Sequence, residues 1–215
     1  TRVCVWKNRV PSEFDRGMSK RAAAYIPFAQ AVPLVATIDP KECLLLSRGP
    51  GRCAAPCSKN CGPKAIDFEQ KDKEIEFDVG AVIVAPGYEL YDPKLSEELG
   101  FGRYPNVLTS LQFERLLSAS GPTRGAVLRP SDQREPHKIA FIQCVGSRDQ
   151  NHSYCSSVCC MYSTKEAMLV KEHSPETDVT IFMMDIRAFG KGFDAYYERA
   201  KNENGVKYVR CRPSS

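Results

Sequence analysis

Nowhere in the 215 residues is there a run of eighteen apolar side chains, so the sequence offers no helix able to span a bilayer. The opening stretch, TRVCVWKNRVPSEFD, lacks the basic, apolar and small-residue order of a secretory leader and has no initiator Met. Charge of one sign is also lacking: 30 Lys and Arg against 26 Asp and Glu give a net +4, with no basic block to grip nucleic acid or an anionic membrane. There is no internal repeat and no low-complexity segment. These absences predict a cytoplasmic chain without a membrane span or a nucleic-acid partner, whose first residue is an arbitrary start.

Ten cysteines are too many for an ordinary intracellular enzyme, and the chain is too long and too regular for a small disulfide scaffold. Eight of them fall in two tight groups, Cys43, Cys53, Cys57, Cys61 and Cys144, Cys155, Cys159, Cys160, leaving Cys4 and Cys211 apart. Bunched thiols point to metal or cluster ligation.

Along the chain, residues 1–40 are broken by Pro11, Pro27, Pro33 and Pro40, with a short helix expected around 15–24. Residues 41–66 set the first cysteine group among glycines and prolines, as a loop wrapped around something other than a hydrophobic core. Residues 66–77 alternate as a charged hairpin, and the apolar run 80–85 suits a buried strand that stops at Pro86-Gly87. Helical spacing over 106–119, with Thr109 or Ser110 as N-cap, precedes a Gly/Pro-rich connector at 121–138. From 138 onward strand and helix alternate: KIAFIQ, a helix from about 156 to 173, VTIFMMD, a helix from about 193 to 202, and GVKYVR. That order predicts a doubly wound parallel α/β unit.

Cys43-x9-Cys53-x3-Cys57-x3-Cys61 followed by Gly62-Pro63 is similar to a bacterial ferredoxin run, whose closely spaced thiolates hold a [4Fe–4S] cluster. Two ligand sets are open: Cys43, Cys53, Cys57 and Cys61 on one cluster, or Cys4 as fourth ligand, with Cys61 crossing to another. A zinc site is the competing reading, because four thiolates also suit tetrahedral Zn.

What is missing from the second group is glycine. A dinucleotide-binding unit would carry GxGxxG between its first strand and helix; here the strand runs into CVGSRD and only Gly146 remains. Cys155, Cys159 and Cys160 instead open the helix, where the three-residue gap lets two thiolates share a face near its positive end, and Cys144 approaches from the strand. Neighbouring side chains on a helix diverge by about 100°, so Cys159 and Cys160 bind jointly only if the helix begins after them. A redox-active dithiol is the alternative. Asp185 stands where an NAD enzyme binds ribose, but without the glycines a cap or a salt bridge to Arg187 is expected. His137, His152 and His173 read as solvated.

Taken together, VPSEFDRGMSKRAAAYIPFAQAVP, CLLLSRGPGRCAAPCSKNCGPKAIDF, VGAVIVAPGYELYDP, VLTSLQFERLLSASGPT, FIQCVGSRD with YCSSVCCMYSTKEA, and MDIRAFGKGFDAYYERAK resemble the family of heterodisulfide reductase A-type subunits. The resemblance implies a thioredoxin-reductase-like doubly wound flavoprotein with an inserted small ferredoxin-like α+β iron–sulfur domain, of which this chain is a middle fragment. On that basis residues 1–78 form the inserted domain, 79–137 return to the FAD-binding domain and connector, and 138–215 form a degenerate dinucleotide-binding unit. Implied cofactors are two [4Fe–4S] clusters and FAD. The metal ligands are Cys43, Cys53, Cys57, Cys61, Cys144, Cys155, Cys159 and Cys160, with Cys4 as candidate; backbone approach to FAD falls on Ala85, Pro86 and Gly87, and Gly146 and Ser147 lie beside a cofactor. Pro86 replaces the family's Thr, which removes a hydroxyl contact. Implied partners are other heterodisulfide-reductase-like subunits and hydrogenase, formate dehydrogenase or ferredoxin, in a hetero-oligomer that serves methanogenesis. The implied activity is electron relay between clusters and FAD, with flavin-based bifurcation in methanogens.

Overall fold

The computed structural model describes residues 3–213 and divides into two compact units, Thr1–Glu89 and Leu90–Ser215.

The first unit has little regular structure. β1 (Val10–Pro11) pairs antiparallel with β2 (Lys20–Arg21), and β3 (Ala24–Tyr25) with β4 (Thr37–Ile38). The helix expected around 15–24 is instead the turn that closes β1 onto β2. Ser12 Oγ accepts the Asp15 N–H at 3.3 Å, Ser19 Oγ donates to Asp15 Oδ2 at 2.5 Å, and the Gly17 N–H donates to the Ser12 carbonyl at 2.8 Å. Such local side-chain bonds offer the backbone an alternative to the helical ladder.

One buried cation ties these pieces together. Arg21 donates from Nε to Glu13 at 2.7 Å and from Nη2 to Asp39 at 2.9 Å, and its guanidinium lies 3.9 Å from the centre of the Tyr25 ring. Asp39 in turn accepts the N–H groups of Lys41 and Glu42 on its carboxylate and that of Cys43 on its carbonyl. The Arg21 hydrogen bond holds its carboxyl below the usual range. This knot fixes Cys43 as N-cap of α1 (Leu44–Arg48), and Pro56 at the first position pre-sets α2 (Pro56–Lys59).

Residues 66–77 and 80–85 form no strand, contrary to the sequence reading. Every residue from 69 to 89 is exposed, with Ile83 at 93%. An apolar strand of this kind needs paired edges and covered faces, and no described residue pairs with it.

The second unit follows its periodicity. After two single 3-10 turns come α3 (Ser110–Leu117), β5 (Lys138–Ile142), α4 (Cys159–His173), β6 (Asp178–Met183), α5 (Phe193–Asn202) and β7 (Lys207–Arg210). Thr109 and Gln112 form a reciprocal capping box that starts α3 at the expected residue. The strands make a parallel sheet in the order β5-β6-β7, with Phe141 opposite Ile181 and Ile181 opposite Tyr208. Alternation then decides the faces. Ile139, Phe141, Val179, Ile181 and Tyr208 share one core with Leu117, Val170 and Ala200 from the three helices. Each fully buried Val or Ile adds about 1.5–3 kcal/mol. The opposite row, Ile142, Phe182 and Val209, leaves Ile142 and Val209 exposed. A doubly wound sheet is covered on both faces, whereas α3, α4 and α5 share a single core, so this unit is a one-sided βαβαβ half of such a sheet. No helix among the described residues is long and apolar enough to cross a membrane.

Candidate metal centres

All ten cysteines are free thiols. In the first unit, Cys4, Cys43, Cys53 and Cys57 line one small cavity that is partly open to solvent. The other walls are apolar, among them Trp6, Ile38, Leu44 and Phe68. Cys43 is delivered by the Asp39 turn; Ala55, at φ +52°, turns the chain so that Cys57 enters the first turn of α2. Burial pushes the Cys57 thiol up, with Cys4 and Cys53 adding their charge. Cys61 does not line this cavity; its Sγ accepts the Ala65 N–H at 3.4 Å. Of the two ligand sets open in the sequence, the structure brings together the one containing Cys4.

Among the described residues no three His, Cys, Asp or Glu side chains are arranged around a single ion. A Zn²⁺ ion draws thiolates to about 2.3 Å. In a [4Fe–4S] cluster each iron takes its own thiolate, so the sulfurs stand farther apart, and soft thiols beside apolar walls are the donor type such a cluster takes.

In the second unit the chain leaves β5 at Cys144, whose φ of +61° turns the backbone out of the strand. The Ser147 N–H donates to the Cys144 carbonyl at 3.2 Å, closing a turn around Gly146, itself at φ +68°. A Cβ on Gly146 would lie 2.2 Å from the Tyr91 ring. Gly146 and Ser147, which the resemblance places beside a cofactor, build this turn, one as the notch for Tyr91 and the other as the hydrogen-bond donor. Gly146→Ala is expected to cost about 2–4 kcal/mol through overpacking and left-handed strain. Denaturant unfolding checks this, and a loss under about 0.5 kcal/mol, the level of an ordinary surface substitution, would contradict it. His152, expected in solvent, is half-buried between the edges of the Tyr91 and Tyr154 rings.

Cys155 accepts the Ser157 N–H at 3.4 Å, and α4 begins at Cys159 itself, with no side chain capping it. Both members of the adjacent pair are therefore helical. Cys160 is buried and turned toward the end of β6, its Sγ 4.0 Å from the Asp185 carbonyl oxygen. Cys159 is half-buried; its thiol is held below the usual range, chiefly by the hydrogen bond from Cys160, which is pushed up by the same contact. Burial raises Cys144, and the charges of nearby Cys159 and Cys155 raise it further. The four thiols thus form one neighbourhood, of which Cys160 is the buried member turned toward the end of β6.

Arg148 lies, as the sequence placed it, on the loop between strand and thiols, but its pairing with Asp185 is what sequence reasoning missed. Its guanidinium forks onto Asp185 at 2.5 and 3.0 Å, and Asp185 also takes Arg187 at 3.0 and 3.3 Å, so the expected Arg187 bridge is present but is not the main one. These hydrogen bonds, Arg148 first, hold the Asp185 carboxyl below its ordinary value. The only signal was an acid after the second strand facing a basic residue on the first strand's loop. Ala85, Pro86 and Gly87 lie on the exposed segment, where Gly87 at φ +78° needs its missing side chain. Cys211 follows β7, its N–H donating to the Met183 carbonyl at 2.7 Å.

No protein-family model matches the chain. Among curated proteins it is 51% identical to the iron-sulfur A-type subunit of the CoB--CoM heterodisulfide reductase of Methanocaldococcus jannaschii, over 95% of this chain and 30% of that protein. It is 49% identical to the A-type subunit of the H(2):CoB-CoM heterodisulfide,ferredoxin reductase of Methanothermobacter marburgensis, again over 95% of this chain and 30% of the relative. Identity to the A-type subunit of the ferredoxin/F(420)H(2)-dependent CoB-CoM heterodisulfide reductase of Methanosarcina acetivorans is 46%, over 94% of this chain and 24% of the relative. The thiol-lined unit and the cysteine-opened helix therefore lie in a sequence whose relatives are iron–sulfur oxidoreductases. Over nearly its whole length the chain is similar to part of the heterodisulfide reductase A-type subunits. It spans about 30% of the length of the first curated relatives it matches.

Proposed function

We propose that the chain is an electron-relay segment of a flavin- and iron–sulfur-containing heterodisulfide reductase of this type, with one [4Fe–4S] cluster in each unit. The observation that carries this reading is the convergence of Cys4, Cys43, Cys53 and Cys57 on one apolar cavity. In the second unit the donors are Cys144, Cys155 and Cys159, with Cys160 the fourth sulfur of the group. The clusters would supply one-electron steps, and FAD the link between one- and two-electron chemistry. The chain's own residues do the rest: the apolar walls exclude water, the uncapped start of α4 favours thiolate, and Gly87 lets backbone approach a flavin at Ala85 and Pro86. On this reading residues 1–78 are the inserted ferredoxin-like domain, 79–137 return to the flavin domain and 138–215 are the degenerate dinucleotide-binding unit. Partners are sibling reductase subunits in a hetero-oligomer and an electron donor of the kind that the relatives' names record, H(2), formate or ferredoxin.

Anaerobic purification of the holoprotein, followed by iron, sulfide and flavin quantification and EPR, tests the reading. Cys53→Ser and Cys155→Ser are each expected to remove about four irons and one reducible signal. A colourless preparation with stoichiometric zinc would sink it. So would loss of activity on alkylation of Cys159 and Cys160 if the iron content stayed unchanged, which is the outcome a dithiol enzyme requires.

A further inference from the structure

Arg148 is fixed on all sides. Its backbone, at φ +56°, donates N–H to the Tyr154 carbonyl at 3.0 Å, and its own carbonyl accepts from Arg212 at 2.9 Å. The guanidinium, 15% exposed, is forked on Asp185 and leaves Nη1 4.0 Å from Cys144 Sγ. Tyr154 and Arg212 thus hold the Arg148 backbone while Asp185 holds the guanidinium, which a surface arginine that only solvates a loop does not show. Arg187 shares the same carboxylate, so two guanidiniums on one carboxylate leave a net charge of +1 beside the sulfur. Arg212 adds nothing to this balance, because it faces Asp149 at 3.8 Å.

We infer that Arg148, clamped by Asp185, is a positioning residue that raises the reduction potential of the iron–sulfur cluster bound through Cys144; the inference rests on the cluster reading proposed above. Reduction adds one electron and makes or breaks no bond, so the reduced state is the more negative one. Positive charge and N–H groups near a ligand sulfur favour that state. Arginine suits the task because it stays charged at every working pH and its fork fixes its direction. Asp185 supplies the direction: without it the guanidinium has no reason to lie beside the sulfur rather than in water.

The test is an EPR-monitored titration of the holoprotein with dithionite, comparing wild type with Arg148→Gln, Arg148→Lys and Asp185→Asn. In Arg148→Gln the midpoint of the signal lost in Cys155→Ser is expected to fall by at least a tenfold change in the reduction equilibrium, about 59 mV for one electron. Arg148→Lys keeps the charge and recovers most of the shift, while Asp185→Asn, which frees the guanidinium, moves the midpoint in the same downward direction. Unchanged midpoints in all three overturn the inference. Loss of iron in both Arg148 variants also overturns it, because a tuning residue leaves ligation intact. If wild type shows no signal that Cys155→Ser removes, the cluster reading itself has failed, which is a separate result.

Discussion

Cys4→Ser is expected to cost the holoprotein about four irons per chain and to abolish the same EPR signal that Cys43→Ser abolishes. The reason lies in the cavity: Cys4 is one of four sulfurs on a wall that is otherwise apolar, and it is the one that comes from outside the 43–61 run. Serine offers a hard oxygen, poorly ionised and a weak match for iron among thiolates, in a place where nothing else can substitute. Cys61→Ser is the informative control. Its sulfur lies outside the cavity against the Ala65 N–H, so the signal removed by Cys4→Ser persists in it. The opposite pattern, a signal lost with Cys61 and kept without Cys4, would show that the compact ligand set of the sequence run is the true one.

The second large effect concerns a residue away from the thiols. Glu166 lies on α4, 4% exposed, with Oε2 lacking a hydrogen-bond partner among the described residues. Burial, with Glu114 adding like charge, pushes its carboxyl up to about 8. An unfolded glutamate titrates near 4.3. The folded state therefore holds an extra proton between those values, so stability is fully present below about 4.3 and falls as pH rises toward 8, after which it levels off. Glu166→Gln removes the ionisable group and keeps the shape. It is expected to be near neutral at pH 4 and to stabilise the protein by about 5 kcal/mol at pH 8–9, an order-of-magnitude figure from about 1.4 kcal/mol per pH unit. Thermal unfolding at both pH values decides it. A variant equally destabilised at the two would mean that Glu166 has a partner and is ionised in the folded protein.

The parts of the fold that the sequence disclosed are those whose side chains repeat with a period. From Lys138 to Arg210, apolar residues at strand and helix spacing pack into one shared core, and helix α5 runs over the residues expected of it. Thr109 was legible as a cap because its partner Gln112 is three residues away. The first unit was opaque for the opposite reason. Its strands are two residues long, and the Arg21 knot depends on Glu13 and Asp39, which no local window connects. The run at 80–85 shows the limit from the other direction: its composition suits a strand, but composition supplies no neighbour. At the sites, the bunching of the thiols was legible and their company was not. Cys4 reaches the cavity through the fold, and α4 starts at Cys159, a boundary that no residue type marks.

The double grip on Asp185 bears on which soluble electron carriers could use this end of the sheet. In a dinucleotide-binding unit, an acid at this position is the acceptor for ribose hydroxyls. Here a ribose would have to evict two arginines from one carboxylate, beside a turn without the glycines to seat a pyrophosphate. The strand end is in effect insulated: its charges are wired to each other, and the carboxylate a ribose would need is already taken.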